Sequence, residues 1–139
     1  QSLPLNLQIG PGNEHDSGKF LALLEGVRVK HGKGRPRTRP KEATGDMAYD
    51  TEDVRTYLKR RGIKANIPVN PRNRRKPRHG RPYRLDREAY KHMRSSVERL
   101  SAWLRGGFRK LVLRWKRLTS TFLGFIQIAC IMIYWRVLR

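Results

Sequence analysis

The stretch FLGFIQIACIMIYW, residues 122–135, most constrains how this chain can fold, because it carries no charge and is apolar on nearly every side of a helix. Such a helix is stable only inside a protein core or a membrane. Thr119, Ser120 and Thr121 before this stretch, and Gln127 within it, leave a truly apolar run of about 14 residues, fewer than the roughly 20 that a spanning helix needs. We therefore expect a buried helix over about residues 118–137, and no membrane partner.

Upstream of that stretch, two kinds of hydrophobic periodicity follow each other along the chain. Residues 3–9, LPLNLQI, and residues 63–69, IKANIPV, alternate apolar and polar side chains, which is typical of half-buried strands. Residues 42–50, EATGDMAYD, are a weaker strand candidate between them. Apolar residues at steps of three and four indicate helices near residues 17–27, 51–61 and 86–105. This order of strands and helices predicts an α/β fold.

Capping residues predict where these helices begin and end. Asp50 is placed to cap the helix over residues 51–61, with Asp53 answering it as in a capping box. Gly62 provides a C-terminal stop for the same helix. Asp86 is placed to cap the long helix that follows.

The charge of the chain points to a polyanionic partner. It has 32 Lys and Arg against 11 Asp and Glu, a formal charge of +21, which suits DNA, RNA or an anionic membrane face. Residues 28–41 and 68–82 contain Gly, Pro and many Lys and Arg but no acid, and we expect both to be mobile basic loops. The single cysteine, Cys130, allows neither an internal disulfide nor a cysteine-based zinc site, in keeping with a reducing cytoplasm.

Acidic residues are scarce, yet four of the eleven fall within residues 46–53. Asp46 follows Gly45 at the point where a strand is expected to end. Functional sites of α/β sheets gather at the carboxyl ends of strands, so Asp46 could serve as a metal-binding carboxylate. An ordinary turn or capping aspartate has the same pattern, and the sequence alone leaves both interpretations open.

Glu98 lies on the predicted long helix with cations around it. At about 100 degrees per residue, Arg94, Glu98 and Arg105 fall within about 40 degrees of one another, and Lys91 lies close to the same stripe. The spacing fits an exposed i, i+4 ion pair. It also fits a metal-binding carboxylate whose neighbouring cations grip phosphate.

Two longer stretches carry recognisable motifs: residues 45–68, GDMAYDTEDVRTYLKRRGIKANIP, and residues 90–105, YKHMRSSVERLSAWLR. They resemble the C-terminal half of DDE-type insertion-sequence transposases. In that family a segment of the form Asp-Lys-Gly/Ala-Tyr-Asp carries the second catalytic aspartate. A helix with Arg, three residues, Glu, six residues and Lys carries the catalytic glutamate. The stretch GRPRTRPKEATGD, residues 34–46, is also similar, and the resemblance covers about residues 10–130.

The resemblance implies an incomplete ribonuclease-H-like fold. Residues 1–139 would form a partial catalytic domain that contains the third to fifth core strands and ends in the buried apolar helix. Asp46 and Glu98 would be the second and third catalytic acids and the ligands of Mg²⁺ or Mn²⁺. Arg105 stands where the family has lysine, and the first catalytic aspartate has no candidate in the chain. We therefore expect a truncated chain that is inactive alone.

The same resemblance implies a function and its partners. The expected function is that of an insertion-sequence transposase, with metal-dependent phosphodiester cleavage and strand transfer on transposon ends and target DNA. A homodimer on paired ends, in the cytoplasm of a prokaryote and associated with its nucleoid, is also expected. The candidate DNA-binding residues are Lys91, Arg94 and Arg105 on the long helix, and Arg35, Arg37, Arg74 and Arg75 in the basic loops.

Two alternatives compete with this interpretation. A non-enzymatic basic nucleic-acid-binding protein fits the composition well, although it gives no reason for the positions of Asp46 and Glu98. A basic protein anchored in a membrane by residues 118–135 is the other alternative, and the short apolar run argues against it.

Overall fold

The computed structural model of the chain describes residues 3–11, 15–30, 32–73, 80–108, 111 and 118–139. The helices and strands follow the predicted mixture of α and β elements. They are α1 (Ser17–Glu25), β1 (Glu42–Thr44), a 3-10 helix (Met47–Tyr49), α2 (Glu52–Arg60), β2 (Lys64–Asn66), a second 3-10 helix (Pro71–Asn73), α3 (Arg87–Gly107) and α4 (Thr119–Leu138). The chain forms two compact units, which we call the central unit (Gly10–Met93) and the terminal unit (Gln1–Ile9 with Arg94–Arg139).

The described sheet of the central unit consists of two short parallel strands. β1 pairs with β2 so that Glu42 lies opposite Lys64 and Thr44 lies opposite Asn66. Parallel neighbours require a crossover connection, and α2 provides it. The Lys64 ammonium lies 2.7 Å from a Glu42 carboxylate oxygen, and this hydrogen bond raises the pKa of Lys64. The register brings the carboxyl ends of both strands to one edge of the sheet.

The core of the central unit forms where one face of α2 covers the strands and the nearby α1. Leu58 is 0% exposed and Val54 1%, which is the helical spacing of an amphipathic face. Full burial of such side chains is worth about 1.5–3 kcal/mol each. The buried cluster consists of Phe20, Ala43, Val54, Tyr57, Leu58, Ile63 and Ile67.

The start of α2 differs from the sequence prediction. Thr51, not Asp50, is the N-cap residue, and its hydroxyl oxygen accepts a hydrogen bond from the Val54 N–H at 3.4 Å. The prediction that Asp50 caps this helix is wrong, because the Asp50 side chain is fully buried and binds Arg55 instead. Aspartate and threonine are both good capping residues. Because Asp50 binds Arg55, five residues further on, Thr51 is left to cap the helix.

The end of α2 is the predicted glycine stop. Gly62 has φ +62°, a left-handed conformation that glycine adopts without steric cost. Its N–H donates to the Lys59 carbonyl at 3.0 Å, and the Ile63 N–H donates to the Leu58 carbonyl at 2.8 Å. This pair of bonds is the Schellman motif, and it turns the chain directly into β2.

The predicted strand over residues 3–9 is wrong, since the structure assigns no strand there. Strand alternation indicates which side chains are buried, but a strand also needs a hydrogen-bonding neighbour. The described sheet contains β1 and β2 alone. In the terminal unit the segment is held in another way, because the Tyr134 hydroxyl donates to the Pro4 carbonyl at 2.6 Å.

The C-terminal apolar helix forms as predicted, as α4, but the prediction that it is buried is wrong. Within an 18-residue window of the helix, 17% of the residues are buried, namely Ala129, Cys130 and Ile133. Its neighbours in the terminal unit, the end of α3 and the segment at Pro4, cover a single side of a helix that is apolar all round. By length and composition α4 could cross a membrane, a test that core helices of soluble proteins also pass.

Candidate functional site

Asp46 lies just beyond the carboxyl end of β1, where the sequence predicts a site residue. Its backbone is extended and its Oδ1 accepts a hydrogen bond from the Met47 N–H, so it caps the first 3-10 helix. Gly45 packs closely on the next turn, because a Cβ there would lie 3.2 Å from the Tyr49 ring. The Asp46 carboxylate is exposed. The structure thus contains the capping role that the sequence left open, on a carboxylate that remains accessible to a cation.

The same edge of the sheet also positions the start of α3. Asn66 ends β2 and is 1% exposed. Its side-chain Oδ1 accepts from the Asp86 N–H at 2.9 Å, and its Nδ2 donates to the Asp86 carbonyl at 3.1 Å. The Asp86 side chain then accepts from the Ala89 N–H at 3.1 Å, which confirms its predicted capping role. Two hydrogen bonds therefore fix the residue that precedes α3.

Negative charge accumulates near Tyr49. Burial raises the pKa of the Tyr49 hydroxyl, and the charges of Asp16 and Asp46 raise this pKa further. Both carboxylates therefore act on one hydroxyl, although Asp16 precedes α1 and Asp46 follows β1. A local negative potential of this kind attracts a cation. Among the described residues, however, no group of three or more His, Cys, Asp or Glu side chains is arranged to hold a metal ion.

Glu98 forms an ion pair with one of its predicted neighbours. Its Oε1 accepts from the Arg94 Nε at 3.1 Å, and the two side chains are 66% and 68% exposed. Exposed i, i+4 pairs contribute about 0.3–0.5 kcal/mol, so this pair positions the carboxylate more than it stabilises the helix. Glu98 remains open to solvent and to further ligands.

The other two cations of the predicted stripe make local contacts. The Arg105 Nε donates to the Ser101 carbonyl at 3.3 Å. The Lys91 ammonium lies 3.4 Å from a carboxylate oxygen of Glu88, one helical turn before the Glu98 pair. Lys91 and Arg105 are both exposed, and each could contact a phosphate from the same helix.

Asp46 belongs to the central unit and Glu98 to the terminal unit. Their joint use as metal ligands stays a prediction from the sequence.

The basic segment over residues 28–41 carries structure that the sequence did not predict. Val29 and Arg37 form an antiparallel bridge, with N–H to carbonyl distances of 2.8 and 2.9 Å. The Arg61 guanidinium also donates to the Thr38 carbonyl at 3.3 Å, which ties the segment to the end of α2. Arg35 and Arg37 are exposed. The predicted contacts of Arg74 and Arg75 fall outside the described residues.

A buried ion pair beside α2 was missed by the sequence reasoning. Asp50 is 0% and Arg55 4% exposed, and the Asp50 Oδ1 accepts from the Arg55 Nε. The Asp50 Oδ2 accepts from the Asn70 N–H at 2.7 Å, and its backbone carbonyl accepts from the Asn73 side chain at 2.7 Å. One sequence signal was available: Arg55 lies between Val54 and Leu58 on the apolar face of an amphipathic helix.

Arg55 also lines a cleft of about 590 Å³ between α2 and the segment at residues 80–83. Its guanidinium lies over the Tyr83 ring, with the carbon Cζ 3.7 Å from the ring centroid. Lys59 and Arg81 line the same cleft. The cleft is therefore basic, with a buried guanidinium among its lining groups.

The chain is similar to known proteins over nearly its whole length. Residues 1–134 match the family model described as Transposase DDE domain. The chain is 31% identical over 137 residues to a putative transposase for insertion sequence element IS402 from Burkholderia cepacia. The aligned region covers 98% of this chain and 59% of that protein. It is 29% identical over 136 residues to a putative transposase for IS6501 from Brucella ovis, which covers 96% of this chain and 90% of that protein. No solved structure shows a significant match.

Proposed function

The chain belongs to the DDE-domain transposase family, and on that premise we propose that it takes part in metal-dependent cleavage and transfer of DNA strands at the ends of an insertion sequence. The match of the family model to residues 1–134 carries this proposal. The formal charge of +21 supports DNA as the partner, because cations that neutralise phosphates release counterions. The family predicted from the sequence motifs is confirmed, and the reaction is our proposal.

Family membership implies a ribonuclease-H-like fold, and we propose that β1 and β2 are two neighbouring strands of its sheet. The parallel pairing and the crossover through α2 support this assignment. Residues 1–139 would then be part of a catalytic domain, with the basic segments 28–41 and 68–82 and the apolar helix α4 attached to it.

We assign Asp46 and Glu98 as ligands of Mg²⁺ or Mn²⁺. Both are exposed carboxylates, and these cations prefer such hard oxygen donors. The hydrogen bonds to the Met47 N–H and the Arg94 Nε each use one oxygen of a carboxylate that has two, so the donor chemistry fits a divalent cation. When bound, the cation supplies Lewis-acid stabilisation of charge on the scissile phosphate.

The cations of α3 have separate roles in this proposal. Arg94 orients the Glu98 carboxylate through its 3.1 Å hydrogen bond. Arg105 and Lys91 are exposed on the same helix and would bind the DNA backbone. Such phosphate contacts position the duplex without reading its sequence.

No residue of the chain is assigned as the first catalytic aspartate, and we therefore propose that the chain alone does not cleave DNA. A homodimer on paired DNA ends and a prokaryotic cytoplasm, near the nucleoid, complete the proposal. We also propose that α4 does not enter a membrane. Recovery of the expressed chain in the membrane pellet after a high-salt wash would contradict this last point.

The metal assignment can be tested with isosteric substitutions. Asp46→Asn and Glu98→Gln should each lower the affinity for Mn²⁺ by about tenfold or more, because each removes a charged oxygen ligand. Titration with Mn²⁺, followed by the electron paramagnetic resonance signal of the free ion, measures this affinity. The matched controls are Asp53→Asn on α2 and Glu88→Gln on α3, both exposed acids.

The same titration decides against the alternative. A non-enzymatic nucleic-acid binder should respond equally to all four substitutions, and equal Mn²⁺ affinities would therefore contradict the assignment of Asp46 and Glu98. DNA affinity should stay unchanged or rise in every variant under both interpretations, because each substitution removes a negative charge.

A further inference from the structure

The buried arginine on α2 uses only part of its hydrogen-bonding capacity. The Arg55 Nε donates to Asp50, and the Nη2 donates to the Ile67 carbonyl at 2.9 Å. The Nη1 is shielded from solvent and has no hydrogen-bond partner among the residues that the structure describes. Since Arg55 is 4% exposed, water is not available to replace the missing acceptor. An acceptor from outside the chain would satisfy this group.

Asp50, the counter-ion of Arg55, already accepts a hydrogen bond on each of its two carboxylate oxygens. The Asp50 Oδ1 accepts from the Arg55 Nε, and the Oδ2 accepts from the Asn70 N–H at 2.7 Å. The guanidinium is thus held at its Nε and Nη2. The Nη1 is the nitrogen that could take a further acceptor. The fixed guanidinium plane suits a planar, charge-assisted contact to an oxyanion.

The cleft that Arg55 lines carries further positive charge. Lys59 from α2 and Arg81 from the segment at residues 80–83 contribute two exposed cations, and Glu52 contributes a carboxylate. Because Asp50 balances the charge of Arg55, Lys59 and Arg81 leave an excess of one positive charge over Glu52 around a volume of about 590 Å³. The aromatic ring of Tyr83 lies 3.7 Å from the Arg55 guanidinium carbon and covers it. The cleft thus combines excess positive charge with a stacked, buried donor.

We propose that this cleft binds one phosphate group of the DNA backbone, with the Arg55 Nη1 as the buried donor and Lys59 and Arg81 as the outer cations. Because the Nη1 is shielded, entry of a phosphate oxygen requires the Tyr83 ring to shift from its stacked position. This inference rests on the proposed function, because the phosphate group belongs to the DNA on which the chain is proposed to act. It adds a phosphate contact in the central unit that is separate from Asp46 and from the cations of α3.

Charge-matched double variants of the full chain test the proposal. Lys59→Ala with Arg81→Ala removes the outer cations, and Arg60→Ala with Arg84→Ala removes the same charge from exposed neighbours outside the cleft. Arg55 itself is left in place, because its loss would leave Asp50 buried without a cation. Fluorescence anisotropy with a short labelled duplex, measured over a series of NaCl concentrations, gives the affinity and its salt dependence.

The cleft double variant should bind the duplex about tenfold more weakly than the control double variant, since charge-assisted hydrogen bonds are lost. Its slope of log affinity against log salt should also be smaller in magnitude by about 1, which corresponds to one phosphate contact. Equal affinities and slopes in the two double variants would overturn the proposal while leaving the proposed function intact. Absence of salt-dependent DNA binding in the unaltered chain would instead overturn both.

Inorganic phosphate separates the DNA backbone from a free anion. Thermal unfolding of the unaltered chain and of both double variants is measured with and without added phosphate. Phosphate should raise the Tm of the control variant more than that of the cleft variant. The cleft variant should also bind the duplex more weakly than the control variant. A Tm difference with equal DNA affinities would show a site for a free anion and would overturn the assignment to DNA.

Discussion

At the scale of single residues, Asp50 has the most demanding role in the central unit. It is 0% exposed and joins three parts of the chain: α2 through Arg55, the segment after β2 through Asn70, and the second 3-10 helix through Asn73. Both oxygens of this buried carboxylate accept a hydrogen bond, as buried polar atoms usually do. The removal of its charge would strand a buried guanidinium, which is strongly unfavourable.

Asp50→Asn should therefore lower the free energy of unfolding by about 3–5 kcal/mol. The control Asp53→Asn changes an exposed acid in the first turn of α2 and should lower it by less than about 1 kcal/mol, since it affects mainly the helix dipole. Urea unfolding followed by circular dichroism measures both. Similar midpoints for the two variants would contradict the role given to Asp50.

The sequence could not reveal this role, although it placed Asp50 correctly beside a helix start. Asp50 and Thr51 are both good capping residues, and the pattern of α2 is satisfied by either. The choice depends on Asn70 and Asn73, which lie 20 and 23 residues further along the chain. The capping role of Asp46 was easier to predict, because its sequence signal is local: a glycine after a short strand, followed by a turn.

At the scale of elements, α4 divides into a covered side and an open side. Ala129, Cys130 and Ile133 are buried, and these positions recur at helical spacing. The open side carries several large apolar side chains that are each at least 39% exposed: Phe125, Ile128, Ile131, Met132, Trp135 and Leu138. An apolar area of this kind favours association with another apolar surface.

Two isoleucines of α4 give a matched comparison of its two sides. Ile133 is 7% exposed and Ile131 66%, and replacement by alanine changes the helix propensity equally. Ile133→Ala should lower the free energy of unfolding by about 2–5 kcal/mol, because it leaves a cavity. Ile131→Ala should change it by less than about 0.5 kcal/mol.

Thermal or urea unfolding of the two variants measures this difference. A comparable loss in both would mean that the side of α4 containing Ile131 is covered in solution.

Element types were more predictable than their burial. The helices α1, α2 and α3 follow from apolar spacing and from the caps Asp86 and Gly62, which act through neighbours within a few residues. The strand predicted at residues 3–9 failed because alternation does not specify a pairing partner. The burial of α4 failed for a related reason: an all-apolar helix needs neighbours on every side, and the sequence does not indicate how many are present.

At the scale of the whole molecule, the acids available for catalysis set the expected activity. In our proposal Asp46 and Glu98 are two metal ligands, and no residue is assigned as the first catalytic aspartate of the family. Two-metal phosphodiester chemistry needs a fuller set of oxygen ligands than two carboxylates supply. The DNA binding that we propose would depend on the +21 charge and does not share this requirement.

The isolated chain should therefore bind plasmid DNA without nicking it. The measurement is the conversion of supercoiled to open-circular plasmid with Mg²⁺ or Mn²⁺, analysed on agarose gels. Glu98→Gln serves as the comparison, because it should behave like the unaltered chain. Nicking that disappears in Glu98→Gln would contradict the prediction and would indicate a complete set of acids.

The side-chain amide of Asn66 has a consequence for how related elements can diverge. It hydrogen-bonds both the N–H and the carbonyl of Asp86. These bonds hold together the two ends of the intervening segment, residues 67–85, and fix where α3 starts. Doubling the length of such a closed loop costs only about 0.6 kcal/mol. The intervening segment can therefore vary in length and composition while the helix that carries Glu98 keeps its starting point.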